Sequence, residues 1–223
     1  MDLSIEFIEI ILLSLRVSIT AVLIGAMVGI PIGAFLGLTH FTGRNWVATL
    51  LFTFMGMPPV LIGVIVYLLL SRYGPLGAWN ALFTPEAMIF AQVLLVTPII
   101  TGLTLIAVQA KERALWETAI TLGATRFQAI RTILKEARKP IFSAIATAFG
   151  RAISEVGAVM LVGGNIEHHT RVMTTAIILE TRKGNYPLAL WIGIVLLSIS
   201  FLFNIILVRE MLENLQPSSE RRD

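Results

Sequence analysis

The sequence predicts an all-α fold: a polytopic membrane helix bundle of about five transmembrane helices with one helical cytoplasmic loop. Three observations predict it. Of 223 residues, 56% are hydrophobic and 14% are charged, against about 25% charged in a typical soluble domain. Five apolar stretches reach the roughly 20 helical residues that a bilayer core requires. Basic residues concentrate between the third and fourth of them. Such a composition excludes an ordinary soluble enzyme and a disordered segment. With no cysteine, a disulfide scaffold and a Cys-ligated metal centre are excluded as well.

The spans are expected at residues 8–38, 46–70, 87–108, 141–162 and 188–208. The first has an acidic flank, Asp2 and Glu6, and runs too long for a signal peptide, so it reads as a retained helix. Residues 172–179 form a shorter apolar patch, which reads as an interfacial or re-entrant helix. One membrane domain, 8–208, is therefore expected, with a cytoplasmic loop at 111–139 and a cytoplasmic tail at 209–223.

Orientation follows from the basic residues. No lysine precedes Lys111, and the next loop holds Lys111, Arg113, Arg126, Arg131, Lys135, Arg138 and Lys139, seven of the chain's 17 Lys and Arg residues. That loop is placed in the cytoplasm. Five spans then put the N-terminus outside and the C-terminus inside a cytoplasmic membrane. Anchoring of topology accounts for the basic loop, and no nucleic-acid partner is expected.

Within the spans, Gly25, Gly29, Gly33 and Gly37 recur every four residues. Such spacing lets two helix backbones approach closely in lipid. Pro31, Pro58-Pro59 and Pro98 fall in three spans, where each removes an amide hydrogen and frees a carbonyl; Pro58-Pro59 reads as the strongest break, and Pro31 and Pro98 read either as breaks or as plain kinks. Such breaks lie against protein or a water-filled cavity, which makes Pro58 and Pro59 candidate pathway residues. Arg151 and Glu155 stand four apart on one expected helix and pair there, either as a structural ion pair or along an ion path. In the outer loop, Gly163-Gly164-Asn165 reads either as a nest of amides for an anion or as a plain turn. Thr174 and Thr175 add hydroxyls beside it. The adjacent His168 and His169 point apart, so no metal site is expected.

The cytoplasmic loop is expected to form two short amphipathic helices. Gly123 ends the first in a left-handed turn, and Thr125 caps the second. Leu115, Ala119 and Leu122 share one face of the first; Phe127, Ile130 and Leu134 share one face of the second.

The run Trp116-Glu117-Thr118-Ala119-Ile120-Thr121-Leu122-Gly123 resembles the "EAA" loop of permease subunits in type I ABC importers. Glu117, Ala119 and Gly123 match that pattern; Thr118 replaces its middle alanine, and Lys135-Glu136 stand where a Leu-Pro pair is usual. The remainder is similar to tungstate-importer permeases in Gly56-Met57-Pro58-Pro59, Gly150-Arg151-Ala152-Ile153-Ser154-Glu155-Val156-Gly157-Ala158 and Val162-Gly163-Gly164-Asn165-Ile166.

The resemblance implies a homodimeric pathway in the lipid membrane. Two ATP-binding cassette ATPase subunits would dock on 114–125 through Glu117, Ala119, Leu122 and Gly123, and a binding protein outside would deliver an oxyanion. Tungstate is the first expectation, with molybdate, sulfate or another anion as the alternative. A stand-alone secondary transporter or channel is the second alternative. No phosphate-loop motif occurs, so ATP hydrolysis belongs to another subunit. No catalytic constellation, cofactor or metal is expected.

Overall fold

A computed structural model describes residues 3–212, with side chains from 6 to 205. Most of the expected tail, including Arg221 and Arg222, lies outside the described residues. Eight α-helices and one 3₁₀ turn make up the described chain. Helix α1 covers Leu3–Leu38, α2 Arg44–Met55, α3 Pro59–Leu70, α4 Pro85–Thr121, α5 Arg126–Ile153, α6 Gly157–Gly163, α7 Met173–Arg182 and α8 Tyr186–Leu212. Helices α1, α4 and α8 are each long and apolar enough to cross a membrane. The pairs α2–α3 and α5–α6 reach that length and apolarity only together, each bending at its break, by 95° and 55°. Counting each bent pair as one crossing gives the five expected spans.

The glycine stripe of α1 meets α4. A Cβ on Gly25 would lie 2.8 Å from the Val96 side chain, one on Gly37 2.8 Å from Val108, and one on Gly33 would fall on the Thr101 carbonyl oxygen. Between lipid-solvated helices the hydrophobic effect supplies no pull, so close backbone packing holds them together. Above and below this seam the core divides into three layers. Phe149, Ile100 and Met173 fill the middle, Met88, Val66 and Val159 one end, and Val108, Ile133 and Ala137 the end nearest the basic loop. Phe149 stacks on Phe203 of α8 at 3.6 Å between ring centroids.

Of the three proline positions, Pro31 and Pro98 do not break their helices. Both α1 and α4 run through, with Pro31 and Pro98 inside them. A proline removes only one ladder bond, and both stand in the tightly packed α1–α4 pair. Pro58-Pro59 does mark a break, because Pro59 takes the first position of α3, where a missing amide costs nothing. Conversely, the expected span 141–162 breaks at Ser154-Glu155-Val156 without any proline. Arg151 and Glu155 therefore do not share one helix: α5 ends at Ile153, and Glu155 lies in the break.

Two short cytoplasmic helices do not form either. Helix α4 has 37 residues, about 55 Å at 1.5 Å per residue, and overruns a bilayer core of roughly 30 Å. Its end and the beginning of α5 supply the expected helical segments, joined only by residues 122–125. On α5 the inward stripe is Ala129, Ile133 and Ala137, while Phe127 is 75% exposed. The expected face of Phe127, Ile130 and Leu134 is thus divided: Leu134 packs against this core layer and Ile130 is half-buried, while Phe127 faces outward.

Candidate functional site

The two broken spans meet at their breaks. A Cβ on Gly157 would lie 2.7 Å from the Val60 side chain, and one on Gly63 2.8 Å from the Ala158 Cα, so α3 and α6 touch backbone to backbone. Pro58 and Pro59 stand at one edge of this junction and Glu155 at the other.

The second break exposes backbone groups that side chains satisfy. Glu155 is buried, and its Oε1 accepts from the Ala158 amide at 3.1 Å. The Glu155 carbonyl accepts from Thr174 Oγ1 at 2.9 Å. The Ala152 carbonyl, in the last turn of α5, accepts from the Glu155 amide at 3.2 Å and also from Gln92 Nε2 at 3.0 Å. Sequence reasoning missed Gln92, although one buried amide side chain in the apolar stretch of α4 was its signal. Arg151 lies 3.9 Å from Glu155 Oε2 and keeps 44% of its side chain exposed, whereas Glu155 keeps 5%. Glu155 is therefore held as a cap, and Arg151 is the exposed half of the pair.

This arrangement makes a prediction. Glu155→Gln keeps an oxygen for the Ala158 amide and is expected to preserve folding. Glu155→Leu leaves that buried amide unpaired, at a cost of about 1–3 kcal/mol. Thermal unfolding of the purified protein should rank wild type and Glu155→Gln together, above Glu155→Leu. Equal midpoints for all three would remove the capping role.

The loop between α6 and α7 folds as a turn. The Gly164 amide donates to the Met160 carbonyl, and the Ile166 amide to Thr170 Oγ1 at 2.9 Å. Thr170 Oγ1 in turn donates to the Gly163 carbonyl. Gly164 and Asn165 both have left-handed backbones, with φ of 72° and 53°. Gly163 packs on Met88, where a Cβ would come within 2.8 Å of its sulfur. The Gly164 and Ile166 amides are thus satisfied within the chain, as a turn requires. Thr175 is buried and serves the start of α7, exchanging hydrogen bonds with Val172. Ser14 of α1 accepts from the Met173 amide at 2.8 Å.

An ion cluster that the sequence did not reveal ties this loop to α1. Arg171 Nη1 donates to Glu6 at 2.8 Å, and His168 Nδ1 lies 2.7 Å from Glu9 Oε2. The hydrogen bond to Glu9 raises the His168 pKa above its ordinary value of 6.5, helped by the charges of Glu9, Glu167 and Glu6. A raised histidine pKa stabilises the fold fully below the ordinary value and loses that effect as pH rises through the raised one. Thermal stability of wild type is therefore expected to fall across that window, and Glu9→Gln should flatten the fall. An identical pH profile in both proteins would remove His168 as its source.

At the other end, Gly123 has φ of 81°, and its amide donates to the Ile120 carbonyl. Thr125 caps α5 in a reciprocal box with Gln128. Leu122 is 82% exposed at the tip of the turn. Glu117 is exposed and lies 4.0 Å from Arg113, while Ala119 is half-buried. Glu117 and Leu122 thus face outward from a rigid helical hairpin.

A bundle of bent spans with an outward-facing helical hairpin is the architecture of an ABC importer permease. The chain belongs to the family described as "Binding-protein-dependent transport system inner membrane component", whose profile matches residues 29–212. It is a transport subunit of the inner membrane, and this membership replaces the stand-alone transporter reading. The chain is 46% identical over 198 residues to the tungstate uptake system permease protein TupB of Peptoclostridium acidaminophilum, covering 89% of this chain and 87% of that one. It is 42% identical over 204 residues to a probable anion ABC transporter permease protein of Haloferax volcanii, covering 89% and 88%. In fold it is similar to the inward-facing MetNI methionine ABC transporter, with a TM-score of 0.76, 17% identity, and 94% and 97% of the two chains covered.

Proposed function

We propose that this chain is the permease of an oxyanion importer and that tungstate is its cargo. Similarity to a tungstate uptake permease along nearly the whole chain is the observation that carries this reading. In the proposal, residues 8–208 form the permease domain of a homodimer, with the N-terminus outside and the C-terminus in the cytoplasm. Two ATPase subunits dock on the hairpin within 111–139, contacting Glu117, Ala119, Leu122 and Gly123. An outer binding protein delivers the anion. The exposed Leu122 and the ordered turn at Gly123 support the docking assignment, because an apolar tip on a rigid hairpin suits a partner groove. ATP-driven closure of the ATPases would push the two hairpins together and switch the packed helices between two states.

The similarity to a probable anion permease favours a second reading, a broader oxyanion cargo such as molybdate or sulfate. Cell-associated tungsten and molybdenum, measured with and without this gene at scarce supply of both, separates the readings. Loss of tungsten alone is the expected result. Loss of both metals would establish the broader cargo. Retention of both, in a host without a redundant importer, would overturn the oxyanion assignment.

A further inference from the structure

We propose that one face of α5, centred on Arg151, is the wet wall along which the anion crosses the membrane, and that Arg151 holds it in transit. The face carries Ser143, Thr147, Gly150, Arg151 and Ser154, which fall on one side of a helix at 3.6 residues per turn. Thr147, Arg151 and Ser154 are exposed, and the space beside Gly150 is open: a Cβ there would meet nothing within 4 Å. Phe142, at the inner end, is the one large apolar side chain exposed between residues 141 and 154.

The exposed face of α8 is far more apolar, with Ser198 its one exposed serine or threonine among the described residues. On α8, Leu190, Trp191, Ile194, Leu197 and Phe201 are all more than half exposed, which is the surface lipid requires. Arg151 lies 12 residues beyond Lys139, about 18 Å along α5, and therefore well inside a bilayer core. A half-exposed guanidinium at that depth is excluded from lipid and faces a bundle interior or a water-filled cavity.

The chemistry fits a dianionic tetrahedral oxyanion. A guanidinium presents five donors in a planar fork that matches such oxygens and stays charged at every physiological pH. Thr147 and Ser154 rest their hydroxyl protons on the carbonyls of Ser143 and Gly150, at 2.9 and 2.7 Å, and keep the face wettable. Glu155 is fixed by its bond to the Ala158 amide, so its carboxylate stays near Arg151 and competes with the cargo. That competition keeps the anion from being trapped, as conduction requires. The inference rests on the oxyanion reading above and adds the site of contact.

The test uses the assembled importer with its ATPase and binding protein. Because the chain has no cysteine, Thr147→Cys, Ser154→Cys and Leu197→Cys each introduce a single thiol into the permease. A negatively charged, membrane-impermeant methanethiosulfonate should modify the first two. It should modify Leu197→Cys at least roughly tenfold more slowly, because the reactive thiolate forms only in water. Arg151→Gln should lower tungstate uptake by about tenfold or more, the scale of one charge-assisted hydrogen bond, and Arg151→Lys should restore part of it. Copurification of the ATPase subunits reads assembly. Unreactive thiols at 147 and 154 would overturn the wet wall. Wild-type uptake by Arg151→Gln would overturn the anion contact, as would loss of assembly in both arginine variants. Reactive thiols at 147 and 154, together with a wild-type importer that moves no oxyanion, would instead overturn the cargo assignment and leave the wet wall standing.

Discussion

Gly33→Leu is expected to eliminate the folded permease. At this position α1 and α4 touch backbone to backbone: a Cβ would fall on the Thr101 carbonyl oxygen and within 2.8 Å of the Thr104 Cβ. A carbonyl of a helix interior cannot step aside as a flexible side chain does, so the helices must separate. Separation loosens the neighbouring contacts of Gly29 and Gly37 along the same seam, and close packing is what holds helices together in lipid. The cost is expected to exceed the about 1–3 kcal/mol of ordinary overpacking. Size-exclusion chromatography of the detergent-solubilised protein reads the outcome. Gly193→Ala serves as control, since its nearest neighbour would lie 4.0 Å away. A wild-type yield of monodisperse Gly33→Leu protein would show that the α1–α4 seam is not the keystone of the bundle.

Gly123→Val is expected to abolish uptake while the chain still folds and inserts. Nothing lies within 4 Å of a Cβ at Gly123, so the damage is not a clash within the chain. It comes from φ of 81°, where an L side chain costs roughly 1–2 kcal/mol and a β-branched one is a severe outlier. The flanking helices of 37 and 28 residues are held by their own packing. Strain therefore falls on the turn of residues 122–125, which re-aims Leu122. Gly123→Asn, which tolerates the left-handed region, should recover uptake. Full uptake by Gly123→Val would sink the coupling assignment. An inactive Gly123→Asn would trace the requirement to space against a partner rather than to backbone conformation.

Local signals made much of the hairpin legible. Gly123 and Thr125 announce their turn and cap because both effects act within four residues. The glycine spacing on α1 likewise announced a close partner, and only the fold identified it as α4. The site was less legible because its parts come from afar in the chain. Gln92 and Ala152 are 60 residues apart, and Thr174 is 19 residues from Glu155. The ion pairs Glu6–Arg171 and Glu9–His168 join residues 165 and 159 positions apart.

The sequence by itself determined that the chain lives in a membrane, how many times its apolar stretches allow it to cross, and where the turn between α4 and α5 lies. Composition, span length and turn chemistry are additive properties of neighbouring residues, so they survive without knowledge of the fold. Tertiary structure alone decided which helices break. Pro31 and Pro98 leave their helices intact within the α1–α4 pair, while Ser154-Glu155-Val156 breaks a span that contains no proline there. A break in a membrane helix is tolerated only where its freed amides and carbonyls find partners, and here those partners include Gln92 and Thr174, which folding brings to the break from other helices.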